Sequence, residues 1–578
     1  MRFAGHNSKV STRPAIPGLI ILVAFLALLF GGNLTKASAG MLVPRFAADL
    51  SPGPSSSNPY EFFDLDGKLF FNAEIDRGVE PYFSPDGKSF RLIKDVAAGP
   101  DDSDPSSPVR LGDQLFFLAY EEATGYELHK TDGNSVSLVS DLSPGPGDPQ
   151  ISEMTVLGNM IYFVAETPAT GRELWKTDGN TMAIVQDLEP GAAGSYPEDL
   201  TLFNGQLYFR ATTSVTGSEL FRSDGNSISL VSDVEPGANG SSPDDLAVLG
   251  SHLYFSAYKT GPSRELWRTD GTTTALWTDI FPGAGYGSPS RLVASGGRLF
   301  MEADDGVHGD ELFSTDGVNP ATLVADIAPG SDNSDPGEIT PFDDGRVILT
   351  AEDPTHGEEP WLANGSGADF LGDIWPGSDG SGARDFFIRD GYAYFNANRI
   401  DIGRELFATN GSGVTLVRDI LPGTDGSSPG WFTPYRDHTI FQADDGIHGR
   451  ELWKLVPPDR SVTIGTAAKL RFRPSGRADL LLKCPAAEES GPCTGRFSLT
   501  TAARVRFGGS KRVVALAKGS FNAAAGSADQ YRVRLKPLQR RLLKRVPKAR
   551  NLLLKARVSD KAGNQARVNL PVRAVMPK

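Results

Sequence analysis

Short apolar runs, bounded by Gly, Pro, Asn or Asp, follow one another along most of the chain, and their order recurs. Around Glu173 the runs are Met154 to Leu157, Met160 to Ala165, Glu173 to Thr177 and Met182 to Leu188. Runs of this length, rich in β-branched and aromatic residues and punctuated by turn formers, predict strands. Between the last two stands Asp178-Gly179, a strong hairpin signal whose favoured turn needs positive φ at both central residues. One period therefore predicts a four-stranded antiparallel meander.

The period is marked by a glutamate at Glu80, Glu127, Glu173, Glu219, Glu265, Glu311, Glu359, Glu405 and Glu451, spaced 46 to 48 residues apart. Each copy keeps an apolar run ending in Ala before the Glu, and most add a turn pair after it and a closing Asp-x-x-Pro-Gly such as Asp187-Leu188-Glu189-Pro190-Gly191. A meander of 40 to 50 residues repeated many times predicts the blades of a β-propeller. The mature N-terminal stretch ends in Asp49-Leu50-Ser51-Pro52-Gly53, the close of a repeat without its beginning, while Glu451-Leu452-Trp453-Lys454 begins a repeat without its close. The fragments complement each other, so the N-terminal strand is expected to complete the last blade and close a ring of about nine. Eight regular blades with a degenerate first, around Glu80-Pro81-Tyr82-Phe83, is the alternative. Pro44 suits an outermost strand.

The motif, closest at Glu173 to Gly179 and Glu265 to Thr272, resembles the ELWxxDGT repeat family of secreted or surface-exposed bacterial proteins, over roughly Met41 to Lys454. The resemblance implies an architecture and carries no established activity.

In such a meander the loop between the second and third strands lies on one face with the Asp-x-x-Pro-Gly segments, and the Asp-Gly turns lie on the other. The first face is thus acidic. Asp304, Asp305, Asp444 and Asp445 lie there as candidate metal ligands, and carboxylates with carbonyls suit Ca²⁺ in an extracellular setting. No loop has the alternating acidic pattern of an EF-hand, and Asp before Pro-Gly commonly bonds its own backbone. His308, His356 and His448 share one repeat position but belong to different blades, so they are not expected to meet at one ion. The aromatic two places after the Glu (Trp175, Phe221, Trp267, Phe313, Trp361, Phe407, Trp453) is expected to pack between blades, with stacking on sugar rings as the alternative.

The two ends differ in kind from the repeats. Residues 1–39 carry Arg2, Lys9 and Arg13, the apolar run Leu19 to Phe30, and then Ala37-Ser38-Ala39, which predicts a cleaved secretory signal peptide. An uncleaved N-terminal anchor is the alternative, and the only route to a membrane here. From Asp459 onward there are 27 lysines and arginines against 6 acidic residues, a net of +21, which leaves −35 for the preceding part of a chain of net −14. Residues 457–578 are therefore read as a separate domain. Alternating runs Lys469 to Phe472, Asp479 to Lys483, Phe497 to Val505, Arg512 to Ala517 and Tyr531 to Leu535, with a hairpin Leu552 to Val572, predict a small immunoglobulin-like β-sandwich. Pro537 to Arg545 predicts a short basic helix. Cys484 and Cys493 are the only cysteines and predict a disulfide in an exported protein.

The all-β chain is thus expected to be a secreted or cell-surface binding or adhesion protein without enzymatic activity, whose partners are an extracellular polysaccharide, an envelope polymer or a surface protein. Nucleic acid is disfavoured by compartment and by the lack of a binding motif. The competing expectation is an extracellular glycan-active hydrolase or lyase at the ring's central funnel. No Gly-x-Ser-x-Gly elbow, His-Glu-x-x-His or phosphate loop is present, but scattered carboxylates suffice for glycosidases.

Overall fold

The computed structural model describes residues 41–261, 263–343, 345–457, 465–484, 492–524, 527–559 and 565–577. The expected signal peptide lies outside them. The chain divides into two compact units, Met1–Val456 and Pro457–Lys578. Among the described residues no helix is long and apolar enough to cross a membrane.

In the first unit, the period around Glu173 folds into Ser152–Leu157, Met160–Thr167, Gly171–Thr177 and Met182–Ile184, antiparallel neighbours in that order. Nine four-stranded sheets of this kind are present among the described residues. The sheet of Glu80 is complete, although its outer strand, Arg91–Leu92, has two residues. The closing sheet is composite. Val43–Ala48 pairs antiparallel with Arg450–Val456, setting Arg45 opposite Lys454 and Phe46 opposite Trp453, and Pro44 lies on this edge strand. The first strands touch one another in sequence, and the last, Gly430–Tyr435, returns to the first, Tyr60–Leu65. The result is a β-propeller-like repeat fold.

The apolar runs are buried between consecutive sheets. Phe203, Tyr208 and Leu220 of one pack against Leu253, Phe255 and Trp267 of the next. Phe221, Trp267, Phe313, Phe407 and Trp453 are each at most 6 % exposed, so these five serve packing and present no face to a sugar, while Trp175 and Trp361 are half-buried. The basic residue three places after the Glu stitches sheets together: the Lys176 ammonium donates to the Gly225 carbonyl at 2.7 Å and Arg222 to the Gly271 carbonyl at 2.7 Å.

The Asp-Gly turns differ from expectation. Gly179 has φ 88°, but Asp178 is not in the positive-φ region. Thr177 pairs with Met182, which makes Asp178 to Thr181 a four-residue loop rather than a two-residue turn. Asp178 Oδ1 accepts from the Asn180 and Thr181 amides at 2.9 and 3.0 Å, the side-chain-to-backbone bonding by which Asp favours turns.

The second unit has a three-stranded sheet and a five-stranded sheet sharing one core, with Leu480, Leu482 and Val533 from one and Phe497, Leu499, Leu554 and Val572 from the other. The helix is Pro537–Arg545, burying Leu542 and Leu543. Cys484 and Cys493 are joined, with Cα atoms 5.6 Å apart. Two expected strands are divided: Val505–Phe507 and Ser510–Arg512 form a small hairpin about Gly508-Gly509, and the neighbouring strands are Cys493–Thr501 and Ala515–Ala523. Two consecutive glycines at positive φ supply the turn that periodicity alone did not reveal. The tip of the expected Leu552 to Val572 hairpin, residues 560–564, lies outside the described residues, while its strands pair from Asn551 opposite Arg573 to Ser559 opposite Gln565.

A methyl group at Gly179 would lie 2.6 Å from the Phe116 ring of the preceding sheet, whereas one at Gly158, also at positive φ, meets nothing within 4 Å. Gly179→Ala is therefore expected to cost about 1–3 kcal/mol more than Gly158→Ala, measured by denaturant unfolding. Equal costs would mean that the turn does not pack against its neighbour.

Candidate functional site

The repeated glutamate is fully buried in all nine copies. Each stands second or third in the third strand, and its carboxylate reaches the loop that leaves the fourth. Glu219 accepts from the Glu235 and Ser241 amides at 3.0 and 2.9 Å and from the Ser241 hydroxyl at 2.6 Å. Glu405 takes the Ile420, Leu421 and Ser427 amides and the Ser427 hydroxyl. Glu451 takes the Leu50 and Ser57 amides from the far end of the chain, at 2.8 and 2.9 Å, so the same device fastens the closure. Where Gly287 replaces the serine, its amide donates to Glu265 at 2.9 Å. Where Pro149 stands at that position, Glu127 Oε2 is left without a partner. Burial pushes these carboxyls up, to about 7 for Glu80, Glu127, Glu265 and Glu359, against the downward pull of the donors. Buried and turned into the fold in every copy, this residue cannot be a site.

The solvent-facing chemistry lies on the first strands. Each has a bulge after its first residue, as where Ser152 pairs with Val164 but Thr155 with Tyr162. The second residue has φ between 50° and 61°: Glu61, Ser107, Glu153, Asp199, Asp245, Arg291, Glu338, Asp385 and Trp431. Several side chains here reach along the ring to the next sheet. Asp199 Oδ2 accepts from the Asp245 amide at 3.2 Å, Asp245 Oδ1 from Arg291 at 3.0 Å, and Glu338 Oε2 from Asp385 at 3.2 Å. Burial raises Glu61 to about 7 and Asp199 to about 8, the latter helped by a hydrogen bond and repulsion from Asp244. Burial and the neighbouring Asp244 thus hold the Asp199 carboxyl toward its protonated form. The ring had a signal in the sequence: the residue about twenty places before each repeated Glu is acidic in six of nine copies.

One sector of this ring is unlike the rest. Trp431, 47 % exposed, faces Tyr60 with ring centroids 5.7 Å apart. The Tyr126 hydroxyl donates to the Asp104 carbonyl. Burial, then the nearby Asp104 and Glu61 charges, push the Tyr60 hydroxyl up. The Asn72 amide donates to Glu61 at 3.2 Å and to the Pro105 carbonyl at 2.5 Å. Its Oδ1 is unpartnered, whereas Asn396 at the same repeat position accepts from Arg404 at 2.6 Å; Val79 stands where that arginine would be. The positions equivalent to Tyr60 hold Ser106, Ser152, Glu198 and other non-aromatic residues. Tyr60 and Trp431 thus meet once in the ring, and Tyr126 bonds to Asp104 in the same sector.

The expected metal ligands fall in two sheets. Asp304 accepts from the Gly306 amide at 2.7 Å, and Asp305 from the Val307 and His308 amides and from His308 Nδ1 at 2.8 Å. Asp444, Asp445 and His448 repeat this arrangement. His356 pairs with Asp353 at 2.8 Å, so each histidine has its own aspartate in its own sheet. Beside Asp304, Glu302, Asp310 and Asp335 hold carboxylate oxygens within 4.8 Å of one another, with Arg291 paired to Glu302.

No protein-family model matches the chain, and no curated protein does. Among solved structures, an uncharacterized protein, lmo1340, from Listeria monocytogenes EGD-e is similar at 10 % identity and a TM-score of 0.28, over 50 % of this chain and 91 % of that one. A point mutant of the Aleuria aurantia lectin, in complex with α-methyl-L-fucoside, is similar at 10 % identity and 0.23, over 46 % and 92 %. The SapL1 lectin in complex with α-methyl fucoside is similar at 10 % and 0.21, over 55 % and 95 %. Likenesses this distant place no ligand on this chain.

The buried carboxyls fix a pH dependence. A carboxyl whose folded pKa lies above its unfolded value stabilises fully below the unfolded value and loses that contribution as pH rises through the folded one. The raised glutamates, Asp199 and the raised His308 and His448 all act this way; the lowered His129 opposes them. The melting temperature is expected to fall from pH 5 to pH 8, and less steeply in Asp199→Asn. Calorimetric melts test this, and a melting temperature that rises over the interval would contradict it.

Proposed function

We propose that the chain is an exported binding protein whose first unit is a nine-bladed propeller of the ELWxxDGT type, closed by its N-terminal strand, and takes a glycan at the aromatic sector of the ring. The observation that carries this reading is the single occurrence of Trp431, Tyr60 and Tyr126 among acceptors from Glu61, Asp104 and Asn72. An exposed indole offers the apolar face of a sugar ring a surface to stack on, and carboxylate, carbonyl and amide oxygens accept from sugar hydroxyls. The acidic ring around the sector repels anions, so the glycan is neutral. In this reading residues 1–39 are a signal peptide, consistent with a disulfide at Cys484–Cys493. The basic second unit, an immunoglobulin-like sandwich, attaches the protein to an anionic envelope polymer. Ca²⁺ at Asp304, Asp305, Asp444 and Asp445 belongs to the same proposal.

Glycan-array screening of the full chain, followed by calorimetry with the best neutral ligand, tests the site. Trp431→Ala is expected to weaken binding at least tenfold, as expected for a central aromatic anchor, with the melting temperature unchanged. Repeating the titration after chelation reads the calcium dependence. Full binding by Trp431→Ala would place the ligand elsewhere.

The raised Asp199 carboxyl favours a second reading, a glycan hydrolase, because a carboxyl kept protonated near neutral pH is poised as a general acid. It requires new reducing ends released from the bound glycan and their loss in Asp199→Asn. Intact glycan after prolonged incubation would dismiss it.

A further inference from the structure

The five-stranded sheet of the second unit sets arginines opposite one another across three strands. Arg496 pairs with Arg557, and Arg557 with Arg567. The next row holds Lys518, Ser498, Lys555 and Asn569. Arg496, Arg557, Arg567, Lys555 and Lys518 are exposed, while the residues alternating with them, Leu554, Ala556 and Val558, are in the core. Among the described residues, none of these five cationic side chains has an ion pair or a side-chain hydrogen bond; the unit's ion pairs are those of Asp479 with Arg473 and Arg532, on the other sheet. Like charges directly opposite on neighbouring strands destabilise a sheet. The row therefore costs stability in the free protein and leaves three guanidinium forks in line over about 10 Å.

We infer that this face is the attachment site for a linear carboxylated glycan of the polyuronate class, lying across the strands with successive carboxylates on Arg496, Arg557 and Arg567. This deepens the envelope-attachment half of the proposed function and rests on it. The guanidinium fork meets a carboxylate through two parallel N–H donors, which a lysine cannot reproduce. The regular spacing of the strands suits a polymer with one charge per repeat. Nucleic acid is disfavoured, because single strands are held by aromatic platforms and the residues paired across this face, which include Leu553, Pro571 and Ala515 beside the Arg, Lys, Ser, Thr and Asn, have no aromatic ring among them.

The test uses the full chain and polygalacturonate, with dextran and a single-stranded DNA oligonucleotide as comparisons. Wild type is expected to bind polygalacturonate at low salt, to lose binding at about 1 M salt through screening, and to ignore dextran. The triple variant Arg496→Gln, Arg557→Gln, Arg567→Gln is expected to bind at least tenfold more weakly and to melt no lower than wild type, since a repulsion has been removed. The triple Arg→Lys variant is expected to weaken binding severalfold at unchanged charge. The charge-matched control on the helix, Arg541→Gln, Lys544→Gln, Arg545→Gln, and the ring variant Trp431→Ala are expected to stay within twofold of wild type. The inference is overturned by no binding in wild type, by equal losses in the row and helix variants, or by row-dependent DNA binding tighter than that of polygalacturonate. Loss in Trp431→Ala would likewise overturn it by moving the polymer to the first unit. Because the neutral-glycan reading is tested at Trp431 with a different ligand, either can fail alone.

Discussion

A buried carboxylate, repeated in every sheet, holds the first unit together. Glu219 and its counterparts take amide and hydroxyl donors from the loop that carries the chain onward, so each sheet positions the entry to its successor. A hydrogen bond of this kind contributes about 0.5–1.5 kcal/mol net, and a buried carboxyl without such donors would be strongly penalised. The motif therefore demands its loop, and the loop its motif. At the closure the same bonds join Glu451 to Leu50 and Ser57, which makes the last sheet equivalent to the others although its strands come from opposite ends of the unit.

A scaffold so uniform shows its special places by departure from the repeat. Six of the nine bulge positions carry acids, and Asp199, Asp245 and Glu338 reach a backbone amide of the next sheet, a second set of fastenings along the ring. Trp431 interrupts that ring, and Tyr60 and Tyr126 appear beside it and nowhere else at their positions. The Asp and His pairs at His308, His356 and His448 follow the opposite pattern: they recur, and each closes its own turn.

Strand order, the composite closing sheet, the basic helix and the cysteine pair were legible because each rests on local signals: periodicity, turn residues, Pro at the start of a helix, and two cysteines in all. The ring of bulge residues left only a weak trace, the acids recurring about twenty places before each repeated Glu. A bulge with positive φ leaves none in hydrophobic periodicity. The corner formed by Tyr60 and Trp431 exists only once the ring has closed, since the two lie near opposite ends of the unit. The arginine row was hidden for a related reason: net charge shows in composition, but register across strands depends on hairpins and bulges such as the one between Leu499 and Thr500.

The account's central claim is that the repeated glutamate is a latch, which makes the varied positions the ones that bind. Hydrogen exchange on the full chain, comparing wild type with Glu219→Ala, tests it most directly. The latch predicts that the Glu235 and Ser241 amides are protected in wild type like those of the neighbouring strands and lose that protection in the variant, while sheets on the far side of the ring are unaffected. Rapid exchange at those amides in wild type, or protection unchanged by the substitution, would contradict it.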